Sequence, residues 1–387
     1  MAKTYAEIND KIKKGTAVVL TAEEVAELAK TLSPKEIAEK VDVVTTATFG
    51  AMCSSGAFLN FGHANPPIRM EKIELNGIRV SGGLAAVDTY VGATDCNPEN
   101  PSYGGAHIIE DLIAGKEITL EAWGKGTDCY PRKHIKTVIT KDTINEAILY
   151  NPRNAYQNYN VATNSTDKIK YTYMGTLLPK LRNASYSTAG ELSPLLNDPE
   201  CRTIGLGTRI FLCGTEGYVT WNGTQFHSTK ETNEHGIPPS NARTIAVIGD
   251  LKNMSTEFLR GVYYEKYGVS MFVGIGIPIP ILDEDLARRV SIRNEQIETT
   301  VVDYGDGNKI LGKTNYAALQ SGEIEVNGHK IKTAPVASLS KARQIAEILK
   351  SWIQKGDFLL TEPIRPMPTG TSLKGLQEIE NGELKKD

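Results

Sequence analysis

Val41-Asp42-Val43-Val44-Thr45-Thr46-Ala47-Thr48 is the stretch on which the reading of the fold turns. Its run of β-branched residues predicts a buried strand. It leads into Gly50-Ala51-Met52-Cys53-Ser54-Ser55-Gly56, a turn built of small residues. A buried strand ending in such a turn is where α/β proteins place their chemistry. A helix starting at Ser54 or Ser55 would add free N–H groups beside Cys53 and favour its thiolate.

Working outward, Thr21-Ala22-Glu23-Glu24 and Ser33-Pro34-Lys35-Glu36 are capping boxes, so two helices precede the strand. Asn76-Gly77, Asn222-Gly223 and Asn327-Gly328 predict tight hairpin turns. Gly104-Gly105 opens a short helix that Gly115 closes. Residues 244–248 and 269–277 read as buried strands, and 340–355 as an amphipathic helix ended by Gly356. Residues 151–200, rich in Asn, Tyr, Ser and Thr, read as a long excursion, a lid or a lobe boundary. The expected fold class is α/β, a mixed sheet with β-hairpins and flanking helices in one or two lobes. Residues 1–368 form the folded unit, and 369–387 a polar tail, charged beyond Gly375.

At 387 residues the chain can bury a sizeable core. With 40% hydrophobic and 23% charged residues, it is not of the disordered class. A net charge of −3 gives no general attraction to nucleic acid or an anionic membrane. No apolar run approaches the ~18 residues of a membrane span, and the start lacks an apolar leader core. The expected compartment is the cytoplasm, where the five cysteines would be mostly reduced.

Gly307-Asn308-Lys309-Ile310-Leu311-Gly312-Lys313-Thr314 matches the P-loop pattern letter for letter. The motif needs a long helix directly after it, and Ser321-Gly322 followed by a hairpin leaves no room for one. A surface loop is the expected reading, with phosphate or nucleotide binding as the alternative. Gly205-x-Gly207 and Gly274-x-Gly276 lack the third glycine of a dinucleotide fingerprint.

The cysteines carry no Cys-x-x-Cys spacing, so zinc or iron–sulfur sites of the usual kind are not expected. Cys129 precedes Arg132, Lys133 and His134, cations that would lower a thiol pKa. The bland reading is a cysteine beside a solvated basic patch. Cys53 is either a nucleophile in its turn or close-packed filler. Cys96, between Asp95 and Glu99, reads as structural, as do Cys201 and Cys213. Thr94-Asp95-Cys96-Asn97-Pro98 and Thr127-Asp128-Cys129-Tyr130-Pro131 echo each other with unmatched flanks. His107, at a helix start, is an acid–base candidate or a capping residue. Arg69 and Arg132 are carboxylate-clamp candidates or surface arginines.

Thr46 to Ala57, Tyr103 to Asp111, Gly126 to Lys133 and Val273 to Pro280 together resemble the homocysteine biosynthesis family. These are the L-aspartate semialdehyde sulfurtransferases of anaerobic archaea and bacteria. The resemblance runs from near residue 5 to about residue 368. Some members carry C-terminal CBS domains; the form without them is expected here. The resemblance implies that aspartate semialdehyde, sulfide and two external electrons give homocysteine. It carries two cysteines and a persulfide onto Cys53 and Cys129, and implies a ferredoxin-type iron–sulfur partner protein. No cofactor is expected within the chain. A low-pKa cysteine can hold the sulfur, and a second can resolve it. His107 or His134 would protonate the leaving oxygen, with Arg132, Lys133 and Arg69 as candidate substrate-binding residues. A persulfide carrier or scaffold without carbon chemistry is the competing reading, and a homo-oligomer is compatible with either.

Overall fold

The computed structural model describes residues 2–97 and 99–377, with the backbone of 379–380 and 383–384. Pro98 of the Thr-Asp-Cys echo and most of the charged tail lie outside them. Its architecture is the expected mixed α/β arrangement. Ten strands form the main sheet: β1 (Val19–Thr21), β2 (Val43–Ala51), β3 (Gly56–Asn60), β4 (Asp88–Gly92) and β5 (Glu146–Asn154). They continue as β6 (Arg209–Leu212), β7 (Thr215–Asn222), β8 (Ile245–Asp250), β9 (Leu259–Tyr264) and β10 (Gly268–Pro280). Their spatial order is β1-β2-β10-β6-β7-β8-β5-β3-β4, with β9 also paired to β10.

The predicted strand is β2. It runs antiparallel to β10 from Val43↔Pro280 to Ala51↔Phe272 and parallel to β1. Only Ala51 of its nine residues is not fully buried, because both faces are covered. Thr46 satisfies its hydroxyl by donating to the Ile277 carbonyl at 2.7 Å.

The order of the strands imposes a shape. β2 and β3 are joined by only Met52 to Ser55, yet stand six places apart in the sheet. Six places in a flat sheet is about 29 Å, whereas the connection reaches about 18 Å at most. The sheet must therefore curl until these ends meet. Helix α1 (Gly105–Ile113) closes part of the gap that remains. At one end Ala106 N–H donates to Ala93 O just past β4, at 3.0 Å. From its last turns Glu110 accepts the Gly261 N–H of β9 at 2.7 Å.

Helix α2 (Leu339–Gln354) is the predicted amphipathic helix; Ala342, Ile345, Ala346, Leu349 and Ile353 are buried against the sheet. A Cβ at Gly274 would come within 2.9 Å of Ile345, and one at Gly276 within 3.0 Å. That Gly-x-Gly pair serves close helix–sheet packing. Both capping boxes form as read, at helices Ala22–Leu28 and Pro34–Lys40.

A four-stranded sheet carries the Asn76-Gly77 hairpin, with Asn76 at φ 47° and Gly77 at φ 77°. A six-stranded sheet holds strands Val161–Thr163, Asn183–Tyr186, Glu298–Asp303 and the Asn327-Gly328 hairpin, around its own buried cluster. Residues 151–200 leave the main sheet at the end of β5 and cross into this second sheet. Two expectations fail. Asn222-Gly223 is no tight turn: β7 ends there, and the chain makes an excursion before rejoining as β8 at Ile245. No helix follows Cys53; Ser54 and Ser55 lead straight into β3, whose pairing with β4 and β5 claims that backbone. The P-loop match lies on the hairpin between strands Glu298–Asp303 and Lys309–Asn315, with Lys313 beside Glu298 at 3.6 Å. A strand cannot wrap a phosphate as a loop before a helix does, so the nucleotide alternative loses its support. No helix among the described residues is long and apolar enough to cross a membrane.

Asp42, 2% exposed, anchors the start of β2. It accepts from Lys3 at 2.9 Å, Lys11 at 2.7 Å and the Val18 N–H at 3.0 Å. Burial pushes its carboxyl up, but these partners together outweigh it and leave the pKa below the ordinary 3.8. Asp42→Ala should cost about 1–3 kcal/mol in urea unfolding, since Lys3, Lys11 and the Val18 N–H all lose the charged acceptor they share. The lowered pKa makes this contribution complete above about pH 4. It disappears as the pH falls through the folded-state value, so the gap between wild type and variant should narrow in acid.

Candidate active site

The turn carrying Cys53 is pinned on both sides. Met52 N–H donates to Met271 O of β10 at 2.7 Å, and Ala93 N–H, just beyond β4, to Ser55 O at 2.8 Å. A Cβ at Gly56 would lie 2.3 Å from the Tyr90 hydroxyl and 2.5 Å from Val91 O, so the turn can enter β3 only through glycine.

Beside this turn is a cavity of about 310 Å³ between the two larger sheets. The main sheet supplies Thr48, Cys53, Ser54, Arg153 and Ser270. Facing them are Tyr159, Tyr173, Met174, Ser187 and Thr188, from residues that belong to the second sheet and its approach. Gln225 arrives on the excursion that replaced the expected 222–223 turn.

Phenols dominate the wall. Tyr159 donates to the Tyr173 hydroxyl at 3.1 Å, which is 2.8 Å from the Tyr304 hydroxyl. Burial pushes Tyr156 up to about 12, with the Arg153 charge pulling the other way. Burial, and then the charge of a Cys53 thiolate, raise Tyr267, and the same two causes take Tyr264, which does not line the cavity, up to about 12. Of the lining phenols, burial raises Tyr156, Tyr159 and Tyr267, keeping them neutral hydrogen-bond donors at physiological pH, the form that can support negative charge developing on a carbonyl oxygen.

The other expected site residues lie elsewhere. Cys129 is exposed in the loop between strands Ile118–Trp123 and His134–Ile139, with Thr127 Oγ1 at 3.5 Å from its sulfur. That loop packs on residues 61–70: Tyr130 stacks on His63, and Arg132 donates to Asn65 O at 2.8 Å. His134 pairs with Glu121 at 2.9 Å. Arg132 and His134 thus have partners other than the thiol, and Lys133 packs along Gly126. Arg69 is exposed, with its carbonyl against Gly124. Cys129 does not line the cavity; β3, about 17 Å long, stands in the chain between Cys53 and the 61–70 loop on which the Cys129 loop packs.

His107 caps α1: its Nδ1 accepts the Gly104 N–H at 3.2 Å, its ring stacks on Tyr103, and Gly261 closes over it. Burial lowers its pKa against the pull of Glu110 and Asp111. None of His107, His134, Arg69, Arg132 and Lys133 lines the cavity. Sequence reasoning missed Arg153 and the tyrosines. The Tyr-rich composition of 151–200 was their signal, but only the fold gathers them. Cys201 and Cys213 are buried, and burial pushes both thiols up, Cys213 to about 12. Cys96, expected to be structural, is exposed on a two-residue strand. Among the described residues no group of three or more His, Cys, Asp or Glu could hold a metal ion.

Iodoacetamide applied to the native, reduced protein should label Cys96 and Cys129 first and Cys53 more slowly. Cys201 and Cys213 should react only after denaturation, as read by peptide mass spectrometry.

The chain matches the family model described as homocysteine biosynthesis enzyme, sulfur-incorporation, over residues 17–360. A protein of Methanocaldococcus jannaschii named L-aspartate semialdehyde sulfurtransferase is 51% identical over 382 residues, covering 94% of this chain and 72% of its own. One of the same name from Methanosarcina acetivorans is 46% identical over 389 residues, covering 100% and 76%. No solved structure matches the chain.

Proposed function

Since the chain belongs to the homocysteine biosynthesis, sulfur-incorporation family, we propose that it is an L-aspartate semialdehyde sulfurtransferase with Cys53 as sulfur carrier. The enzyme converts L-aspartate semialdehyde and sulfide to L-homocysteine through a cysteine persulfide. The observation that carries the assignment to Cys53 is its place in the wall of the phenol-lined cavity.

The cycle begins with a disulfide between Cys53 and Cys129. Sulfide attacks it, leaving a persulfide on Cys53 and a thiol on Cys129. The terminal sulfur adds to the aldehyde carbon while the phenols bond the developing oxyanion, which takes up a proton. Cys129 then attacks the Cys53 sulfur, re-forms the disulfide and releases the substrate as a hydroxy-thiol. Loss of water gives a thioaldehyde, and two electrons with two protons reduce it to CH₂–SH. The sum is aldehyde, H₂S, two electrons and two protons going to thiol and water. The electrons come from an external iron–sulfur protein of ferredoxin type. A disulfide needs Cα atoms within about 7 Å, so the 124–133 loop must swing to Cys53, or a second copy must present it. The reading places the protein in the reducing cytoplasm, where free thiols persist.

The test is anaerobic exposure of the purified protein to polysulfide, peptide mass spectrometry, then addition of aspartate semialdehyde and reductant. Extra sulfur on the Cys53 peptide, discharged into homocysteine, is expected. Cys53→Ser should make no homocysteine, whatever sulfur the exposed Cys96 and Cys129 take up. Cys129→Ser should load Cys53 but stop after one turnover or fewer. Undiminished multiple turnover in Cys129→Ser would overturn the two-cysteine cycle, and loading without homocysteine would favour a sulfur carrier.

A further inference from the structure

The cavity beside Cys53 has a charge that meets the Tyr156 phenol but no carboxylate among the described residues. Arg153 is the one Lys, Arg, Asp or Glu among its lining residues. No carboxylate pairs with it among the described ion pairs, and its Nε is buried without a hydrogen-bond partner. A guanidinium drawn out of water is costly unless something anionic meets it. In a cavity, that is a ligand's place.

Arg153 is also fixed relative to the nucleophile. The register of β5 against β8 slips between Asn151 and Asn154. Such a bulge re-aims the side chains within it. Asn151, fully buried, ties this bulge to the Cys53 turn: its Oδ1 accepts the Arg153 N–H at 2.9 Å, and its Nδ2 donates to Ser55 Oγ at 2.7 Å. Ser54 Oγ adds a bond to Arg153 O at 3.4 Å. Two side chains thus lock the guanidinium-bearing residue to both neighbours following the thiol.

We propose that Arg153 is the carboxylate anchor of this cavity, holding a short oxo acid by its carboxylate so that the aldehyde end meets Cys53. The planar fork of an arginine matches a carboxylate by two parallel hydrogen bonds. The cavity offers no Asp or Glu to an ammonium group, only neutral oxygens such as those of Ser187, Thr188, Ser270 and Gln225. Recognition therefore rests on the carboxylate far more than on the amine. This assignment takes its aldehyde chemistry from the sulfurtransferase reading, but the anchor itself is a binding site that can be tested without turnover.

The first arm measures protection of Cys53 from iodoacetamide. L-2-Aminobutyrate, which has the carboxylate but no aldehyde, should protect wild type, and propylamine should not. Arg153→Gln should lose the protection, and Arg153→Lys should keep part of it. The second arm compares kcat/KM for L-aspartate semialdehyde, 4-oxobutanoate and 3-aminopropanal. Wild type should use the two acids and discriminate against 3-aminopropanal by about 100-fold or more. Arg153→Gln should erase that discrimination, mainly through KM, while still loading sulfur on Cys53. Equal protection in wild type and Arg153→Gln, or equal use of 3-aminopropanal and 4-oxobutanoate by wild type, overturns the anchor. Protection that depends on Arg153 with no thiol formed from any aldehyde leaves the anchor standing and removes the sulfurtransferase reading instead.

Discussion

Four residues, Met52 to Ser55, tie together strands that stand six places apart in a ten-stranded sheet. Everything near the site follows from that tie. A flat sheet cannot satisfy it, so the sheet curls, and the Cys53 turn stands at the wall of the cavity between the two larger sheets. The same tie makes the Cys53 turn rigid. Hydrogen bonds to Met271 on one side and from Ala93 on the other fix it to both ends of the curl. A nucleophile on such a turn is held by the scaffold, as preorganised chemistry requires.

The polar groups in the cavity are of an unusual kind for acid–base work. No carboxylate and no histidine lines it; phenols do. Burial raises each of the perturbed phenols, so they serve as hydrogen-bond donors and not as bases. That suits the addition of a sulfur anion to a carbonyl. The nucleophile arrives already charged and needs no base, whereas the oxygen gains charge and needs donors. A histidine would be suited to removing a proton from a hydroxyl nucleophile, a task that a thiolate or persulfide does not pose. The placement of His107 as a helix cap and His134 as the partner of Glu121 is consistent with that economy.

Local signals in the sequence carried over well where local physics decides. The capping boxes at Thr21 and Ser33, strand β2, helix α2 and the hairpins at Asn76 and Asn327 all depend on nearby residues. Asn222-Gly223 failed because the turn preference of a dipeptide yields to strand pairing: Asn222 pairs with Ile245, and the excursion between them is free to be long. The helix expected after Cys53 lost to two ladders formed by β3. Cys53 was legible as a candidate from its small-residue turn. Arg153 was not, because it stands out only by having no carboxylate partner among the described residues, and partners across the fold cannot be read from neighbours in the chain. Likewise the cations following Cys129 looked like thiol activators until Asn65 and Glu121 claimed two of them.

The separation of Cys53 from Cys129 constrains the order of events more than the identity of the groups. Because Cys129 does not line the cavity that holds Cys53, the proposed cycle takes carbon–sulfur bond formation and resolution as successive steps. The proposed cycle therefore requires the adduct to survive in the cavity until Cys129 arrives. Two features allow that wait. In that cycle a disulfide link holds the adduct to Cys53, and phenol hydrogen bonds to its oxygen oppose expulsion of the persulfide, the step that reverses the addition. Cys129, exposed on its loop, is in turn open to reductant and sulfide, which a buried resolving cysteine would not be. On the proposed reading, the fold thus separates a cavity for the carbon chemistry from an accessible thiol for thiol–disulfide exchange.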